Sequence, residues 1–132
     1  MTIVLDTSVL AAVVFGEPDA EALLSVMTTH AGDLQIGAAT LVEASIVVEA
    51  KQGSEAAADL RTLLTTLDVS VVAVDPGQAQ IAVRAWRRFG KGRHPAGLDL
   101  GDCFSYALAK TAGAPLLFKG NDFRKTDVVS AT

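Results

Sequence analysis

Four acidic residues lie where a parallel α/β protein would bring them to one edge of its sheet. Asp6 follows the first predicted strand, Glu43 lies early in the helix after the second, and Asp102 and Asp122 flank the last strand. Ligands of such sheets bind beyond the carboxyl ends of the strands. Mg²⁺ prefers oxygen ligands, keeps several waters and is commonly held by one or two carboxylates, with phosphate oxygens supplying the rest. The positions therefore predict a divalent-cation site that acts on a phosphate.

Carboxylates packed this closely raise one another's pKa, so a cation is needed to relieve their repulsion. A bound ion would polarise a phosphoryl oxygen and generate hydroxide from water, and a second ion would stabilise the leaving oxygen; the number of ions stays open. This chemistry requires no Ser, Cys or His nucleophile. Each acid also has a structural interpretation: Asp6, Asp99 and Asp102 as helix caps and Glu43 as the end of a capping box. Asp75, before Pro76, is interpreted as a cap.

The predicted elements place these acids. Short apolar runs at 2–5, 34–38, 69–74 and 115–118 are typical of strands in a parallel sheet, and those at 2–5 and 69–74 are predicted to be buried. Cap residues, glycines at helix ends and prolines at helix starts indicate where the helices lie. Helices are predicted from Thr7 or Ser8 to 15 and over 18–29, 40–53, 54–67 and 76–89. A last helix is predicted to begin at Asp99 or Gly101 and to end at Gly113. Helices between successive strands predict an α/β fold with a central, mostly parallel sheet and helices on both faces.

The composition indicates one intracellular domain. The 132 residues are 50% hydrophobic and 20% charged, which is enough for one core and leaves some apolar surface for a partner. The single cysteine, Cys103, excludes an internal disulfide and is expected to be buried. No secretory signal is visible, and the apolar run at 9–15 is too short to span a bilayer, so we expect a single domain over 1–132, in the cytoplasm and off the membrane.

The net charge of −4 hides an uneven distribution. Residues 1–83 carry two basic and eleven acidic side chains, whereas residues 84–132 carry nine basic and four acidic ones. Because salt limits the range of these fields to about 10 Å, a local basic face can bind a phosphate backbone on an acidic protein. Five cations without an intervening acid favour phosphate contacts over a merely solvated face: Arg84, Arg87, Arg88, Lys91 and Arg93. Trp86 could stack on a base, but its place in an apolar pattern favours packing in the core.

Four segments together resemble a known family. They are Leu5-Asp6-Thr7-Ser8, Glu43 in an early helix, the run from Leu100 to Ala109 (LGDCFSYALA), and the run from Pro115 to Phe123 (PLLFKGNDF), followed by Thr126-Asp127. In this order and over nearly the whole chain they resemble the PIN-domain toxins of VapC type. The two later segments are the more specific ones.

The resemblance implies a three-layer α/β/α PIN-like fold and an endoribonuclease that depends on Mg²⁺ or Mn²⁺. It also implies a homodimer, inactivated by a small VapB-like antitoxin in a heterotetramer or larger complex. Carried over by position, the catalytic and metal-binding residues are Asp6, Glu43, Asp102 and Asp122. The supporting residues are Thr7, Ser8, Asp99, Asn121 and Asp127, and Lys119 joins the five cations as an RNA contact. Asp99 stands where Asn is expected in many relatives, so the third ligand is Asp99 or Asp102, with Asp102 favoured.

Three alternatives remain. A haloacid-dehalogenase-like phosphatase also has an Asp after its first strand, but Ser8 stands where its second Asp is needed. A receiver-like domain would use Asp75 as the phosphoacceptor and Lys119 after the last strand, but Pro76 crowds that acceptor and two helices separate the first strands. A non-catalytic PIN-like interaction domain would bind a partner and no metal.

Overall fold

Four parallel strands form the central sheet. The computed structural model describes residues 1–132, and its strands are β1 (Ile3–Leu5), β2 (Leu34–Gly37), β3 (Ser70–Val72) and β4 (Leu116–Leu117). Their order is β3-β2-β1-β4, with Ile3 opposite Leu34 and Val4 opposite Leu116. Since β1 is an inner strand, its carboxyl end at Asp6 lies near the middle of the sheet edge.

Two helices separate each pair of consecutive strands. The helices are α1 (Thr7–Phe15), α2 (Ala20–Thr29), α3 (Ala38–Gln52), α4 (Ser54–Thr66), α5 (Pro76–Phe89) and α6 (Leu100–Ala112), and a 3₁₀ helix follows β4 at Phe123–Lys125. Gly113 ends α6 with φ of 59°, a left-handed conformation that favours glycine. The predicted cap at Asp75 is confirmed, because its carboxylate accepts the Gln78 backbone N–H at 2.8 Å. Because the Asp75 carboxylate serves as a helix cap, the structure gives no support to Asp75 as the phosphoacceptor of a receiver-like domain.

The sheet separates two apolar cores, which confirms the three-layer α/β/α prediction. Ile3 and Leu5 of β1 face a core shared with α1, α2, α3 and α4, whereas Val4 faces a second core built with α5 and α6. This alternation follows from the period of two in a strand, with both faces covered by helices. None of the helices combines the length and the apolar character needed to cross a membrane.

Three local predictions were wrong. The strand at 69–74 is not buried, because β3 is the edge strand and Val71 is 53% exposed. Glu43 does not close a capping box, since α3 begins at Ala38 with no side-chain cap and Glu43 lies in its second turn. Trp86 is not a core residue: it is 44% exposed on α5, whose buried face consists of Gln78, Ala82, Ala85 and Phe89.

Candidate active site

Asp6 is the buried centre of the site. It follows β1 and caps α1, which confirms its interpretation as a cap in preference to Thr7 or Ser8. Its Oδ2 accepts the backbone N–H and the hydroxyl of Ser8 at 3.1 and 2.6 Å, and its Oδ1 accepts the hydroxyl of Ser105 at 2.6 Å. Only 4% of Asp6 is exposed. Three donors therefore fix the carboxylate in one orientation and stabilise its charge.

Glu43 reaches the same edge from α3. The hydroxyl of Thr7 donates to its Oε1 at 2.5 Å, which joins the start of α1 to the second turn of α3. Its carboxylate also lies directly against the backbone of Gly101, where a Cβ atom would collide with it. The absence of a side chain at Gly101 therefore allows α3 to present Glu43 at the start of α6.

Asp99 and Asp102 form a reciprocal capping box at the start of α6. Asp99 Oδ1 accepts the Asp102 backbone N–H at 2.9 Å, and Asp102 Oδ2 accepts the Asp99 backbone N–H at 3.1 Å. Both cap interpretations are thus confirmed. Each carboxylate keeps one oxygen outside the box, so capping and ligand binding are compatible.

Burial and neighbouring charges raise the pKa of two of these acids. Burial raises the pKa of Asp102 to about 7, and the charges of Asp6 and Asp99 add to the rise, although the hydrogen bond from the Asp99 backbone opposes it. Burial likewise raises the pKa of Glu43, with contributions from Asp6 and Asp99, against the lowering effect of the Thr7 hydrogen bond. The structure therefore brings Asp6 and Asp99 within range of the charges of both Glu43 and Asp102.

Asp122 belongs to an exposed loop beside this cluster. The loop begins at Lys119, whose backbone N–H donates to the Ser8 hydroxyl at 3.0 Å, so it is anchored to the network around Asp6. Asn121 and Asp122 are exposed, and Asp122 precedes the 3₁₀ helix. The structure shows no hydrogen bond from either side chain to the other acids. No three His, Cys, Asp or Glu side chains converge as a ready ligand set.

Asp127, predicted to support Asp122, has other partners. Its carboxylate accepts the Tyr106 hydroxyl at 2.7 Å and pairs with Lys110 and Arg88 at 3.1 and 3.5 Å. Burial works to raise the pKa of Asp127, but the hydrogen bonds from Tyr106 and Lys110 and the charges of Lys110 and Arg88 outweigh it and lower the pKa. Asp127 thus fastens the C-terminal segment to α5 and α6.

The predicted RNA-contacting cations differ in their partners. Lys119 pairs with Glu17 and Asp19, and Arg88 pairs with Asp127. Arg84, Arg87, Lys91 and Arg93 form no ion pair, and the Arg93 guanidinium lies 4.2 Å above the centre of the Trp86 ring. These four cations are the ones whose charge is available to a phosphate backbone.

Sequence reasoning missed two buried hydroxyls. Ser105, which is 1% exposed, holds Asp6, and Thr40, which is also 1% exposed, lies with its Oγ1 3.5 Å from the Ser105 Oγ. The signal was available, because Ser105 is one helical turn after Asp102, on the face of α6 that turns to the sheet. A polar residue within a buried helix face needs a partner, and Asp6 is that partner.

The residues present fit a hard divalent cation. The acids offer oxygen ligands only, and none of Asp6, Glu43, Asp99 and Asp102 pairs with a Lys or Arg side chain. Two of the four have raised pKa values, so the cluster holds more negative charge than its surroundings compensate. A cation bound among them would relieve that repulsion.

The chain matches the PIN domain family over residues 3–129. It is 49% identical to Ribonuclease VapC of Mycolicibacterium smegmatis over 127 residues, which are 96% of this chain and 98% of the relative. It is 45% identical to Ribonuclease VapC30 of Mycobacterium tuberculosis, with 96% of each chain covered.

Two solved structures share the fold. The crystal structure of Mycobacterium tuberculosis VapC20, described as a sarcin-ricin loop cleaving toxin, matches with a TM-score of 0.81 at 17% identity and covers 98% of both chains. PAE2754 from Pyrobaculum aerophilum matches with a TM-score of 0.63 at 21% identity, covering 98% of this chain and 87% of the other. At these identities the two likenesses concern the fold.

Proposed function

The chain belongs to the PIN-domain family, in its VapC group, and from that membership we propose that it is a metal-dependent endoribonuclease, the toxin of a type II toxin–antitoxin pair. The observation that carries the proposal is that Asp6, Glu43, Asp99 and Asp102, from three separate segments, lie near enough for the charges of Asp6 and Asp99 to contribute to the raised pKa values of Glu43 and Asp102. A chain that served only as an interaction module would gain nothing from the unfavourable burial and mutual repulsion of these carboxylates.

In the proposed site Asp6, Glu43, Asp102 and Asp122 would hold Mg²⁺, or Mn²⁺ in its place. The ion would supply an activated water and neutralise charge on the phosphate. Asp102 is preferred to Asp99 as the third ligand, because it is the less exposed of the two and the charge of Asp6 contributes to its raised pKa. Asp99 then orients Asp102 through the capping box.

The surrounding residues prepare the acids for this role. Ser8 and Ser105 hold the Asp6 carboxylate from both sides, which removes rotational freedom before a substrate arrives. Thr7 holds Glu43 in the same way. Asn121 is proposed to position Asp122 in the exposed loop. Arg84, Arg87, Lys91 and Arg93 would contact the RNA backbone.

The partners are proposed on the same family basis. The relatives' VapC names imply a VapB-type antitoxin, with which the chain would form a heterotetramer or larger complex. A homodimer is supported by Val42 and Ile46, which lie one turn apart on α3 and are 60% and 63% exposed. Ile46→Asp should then reduce the mass of the antitoxin-free protein in sedimentation equilibrium from dimer to monomer.

Incubation of the purified, antitoxin-free protein with total RNA tests the activity. We expect cleavage with Mg²⁺ and none with EDTA, and no cleavage by Asp6→Asn or Asp102→Asn. Asn keeps the side-chain oxygen that accepts the capping hydrogen bond, so both variants should stay folded. Asp59→Asn, an equal loss of charge on the exposed face of α4, is the matched control. Equal cleavage with Mg²⁺ and EDTA would overturn the proposal.

A further inference from the structure

An apolar hollow adjoins the acidic cluster. It lies between α5 and α6, encloses about 500 Å³, and is lined by eight hydrophobic residues out of ten, among them Val83, Trp86, Leu98 and Phe104. Asp99, which couples to Glu43 and Asp102, also lines it. The size is typical of a ligand pocket. A group seated in the hollow would therefore lie next to the acids.

Trp86 forms an exposed aromatic surface at this hollow. It lies at the margin of the buried face of α5, so 44% of it remains exposed. A Cβ atom on Gly90 would collide with the indole and with the backbone of Trp86, so this glycine lets the chain turn closely beneath the ring. The Arg93 guanidinium lies over the ring, 4.2 Å from its centre. The turn after α5 thus holds an aromatic ring and a cation together at the surface.

We propose that Trp86 and Arg93 form a stacking platform for an unpaired RNA base, beside the phosphodiester that the acids cut. The proposal rests on the ribonuclease function proposed above and adds a subsite to it. Unpaired bases stack on aromatic rings and on guanidinium planes. The occupant is a nucleotide because the hollow combines apolar walls for a base with cations for its phosphates: Lys91 lines the hollow, and Arg84 and Arg87 lie on the same helix as Trp86.

The platform predicts a defined kinetic effect. Stacking tolerates any base and contributes to substrate binding, so its loss should weaken RNA binding roughly 5- to 150-fold. Since Trp86 forms no hydrogen bond with the four acids, kcat should change little while KM rises. Trp86→Phe keeps an aromatic face and should retain most of the RNA binding. Trp86→Leu keeps only apolar volume and should lose the binding that stacking contributes.

The only tryptophan of the chain is Trp86, so its fluorescence reports on the platform directly. The probe is a 12-nucleotide single-stranded RNA, compared with the same RNA in a duplex, titrated in EDTA against full-length Asp6→Asn protein. We expect quenching by the single strand and little by the duplex, in which the bases are already stacked. Affinities of Trp86→Leu, Trp86→Phe and Arg93→Gln are measured by anisotropy of labelled RNA, with Arg61→Gln on α4 as the charge-matched control.

The outcomes separate this inference from the function on which it rests. If the wild-type protein cuts RNA but Trp86→Leu binds and cuts with an unchanged KM, the platform is refuted and the nuclease stands. If Trp86→Leu instead lowers the mass of the protein or its affinity for the antitoxin, with RNA binding unchanged, the hollow is a protein interface and the platform is again refuted. If the wild-type protein cuts no RNA, the proposed function itself fails.

Discussion

Asp102→Asn should make the metal-free protein more stable while it abolishes cleavage. In the native state the Asp102 carboxyl is partly buried and faces the charges of Asp6 and Asp99, which is why its pKa is raised to about 7. Asn removes the charge but keeps the oxygen that accepts the Asp99 backbone N–H. The variant therefore loses the repulsion and keeps the cap.

The size of the effect follows from the pKa difference. If the carboxyl were fully desolvated, a rise in its pKa from 3.8 to about 7 would lower the stability of the native state by about 4 kcal/mol above pH 7. Asp102 is only partly buried, so solvent screening reduces this, and we expect Asn to stabilise the protein by about 1–2 kcal/mol. For a chain of this length that gain corresponds to an increase in Tm of roughly 3–10 °C.

The pH dependence has a definite sign. Because the folded-state pKa exceeds the unfolded one, the native state binds more protons between pH 3.8 and about 7, and stability falls as the pH rises through that window. The cost of the ionised carboxyl is absent below the window and complete above it. The gain from Asn should accordingly be small at pH 4.5 and largest at pH 8.

Urea denaturation in EDTA at pH 4.5, 6 and 8 measures this difference. Asp59→Asn serves again as the control and should show no comparable pH-dependent gain. Addition of Mg²⁺ at pH 8 should then stabilise the wild-type protein, because a ligand that binds only the native state raises its stability, and should stabilise Asp102→Asn much less. A variant less stable than wild type at pH 8, or a gain independent of pH, would refute the electrostatic reasoning.

Three further perturbations test the surroundings of the cluster. Gly101→Ala should lower cleavage at least tenfold, because its Cβ would displace Glu43; far-ultraviolet circular dichroism should remain that of a folded α/β protein, and full activity would contradict the close approach. Ser105→Ala should lower the free energy of unfolding, measured in urea, by about 1–3 kcal/mol, because Asp6 Oδ1 loses its buried donor. The same variant should weaken Mg²⁺ binding in calorimetry. Ser105→Thr restores the hydroxyl and should recover both the stability and the Mg²⁺ binding. The lowered pKa of Asp127 contributes stability at neutral pH that is lost as the pH falls through its folded-state value, so Asp127→Asn should reduce stability at pH 7 and have little effect at pH 2.5.

The sequence predicted most of the fold because its local signals agreed with one another. All four strands and six helices were placed within a few residues, and Asp75, Gly113 and the acids of α6 act as the caps that their types suggested. The PIN-like fold and the VapC resemblance, drawn from four segments along the chain, are confirmed by the family match and the relatives. The roles of the acids stay predictions.

The failures arose where tertiary context outweighs the local pattern. Val69 to Val74 reads as a buried run, but the strand order puts β3 at an edge. Glu43 has the spacing of a capping box, yet Thr7, 36 residues away, binds it instead. Asp127 follows Asp122 closely in sequence, but Tyr106 and Lys110 hold it elsewhere. A local pattern of apolar and polar residues does not specify which distant segments will pair.

The hydrogen bond from the Lys119 backbone to Ser8 spans 111 positions, and β1 pairs with β4, a strand that is synthesised after all six α-helices. A nascent chain that has emerged only as far as α5 therefore has Asp6 but neither Asp102 nor the strand that completes its surroundings. Folding of such a domain as a unit is delayed until the C-terminal segment has left the ribosome. The acidic cluster can therefore be completed only after α6 and β4 have been synthesised.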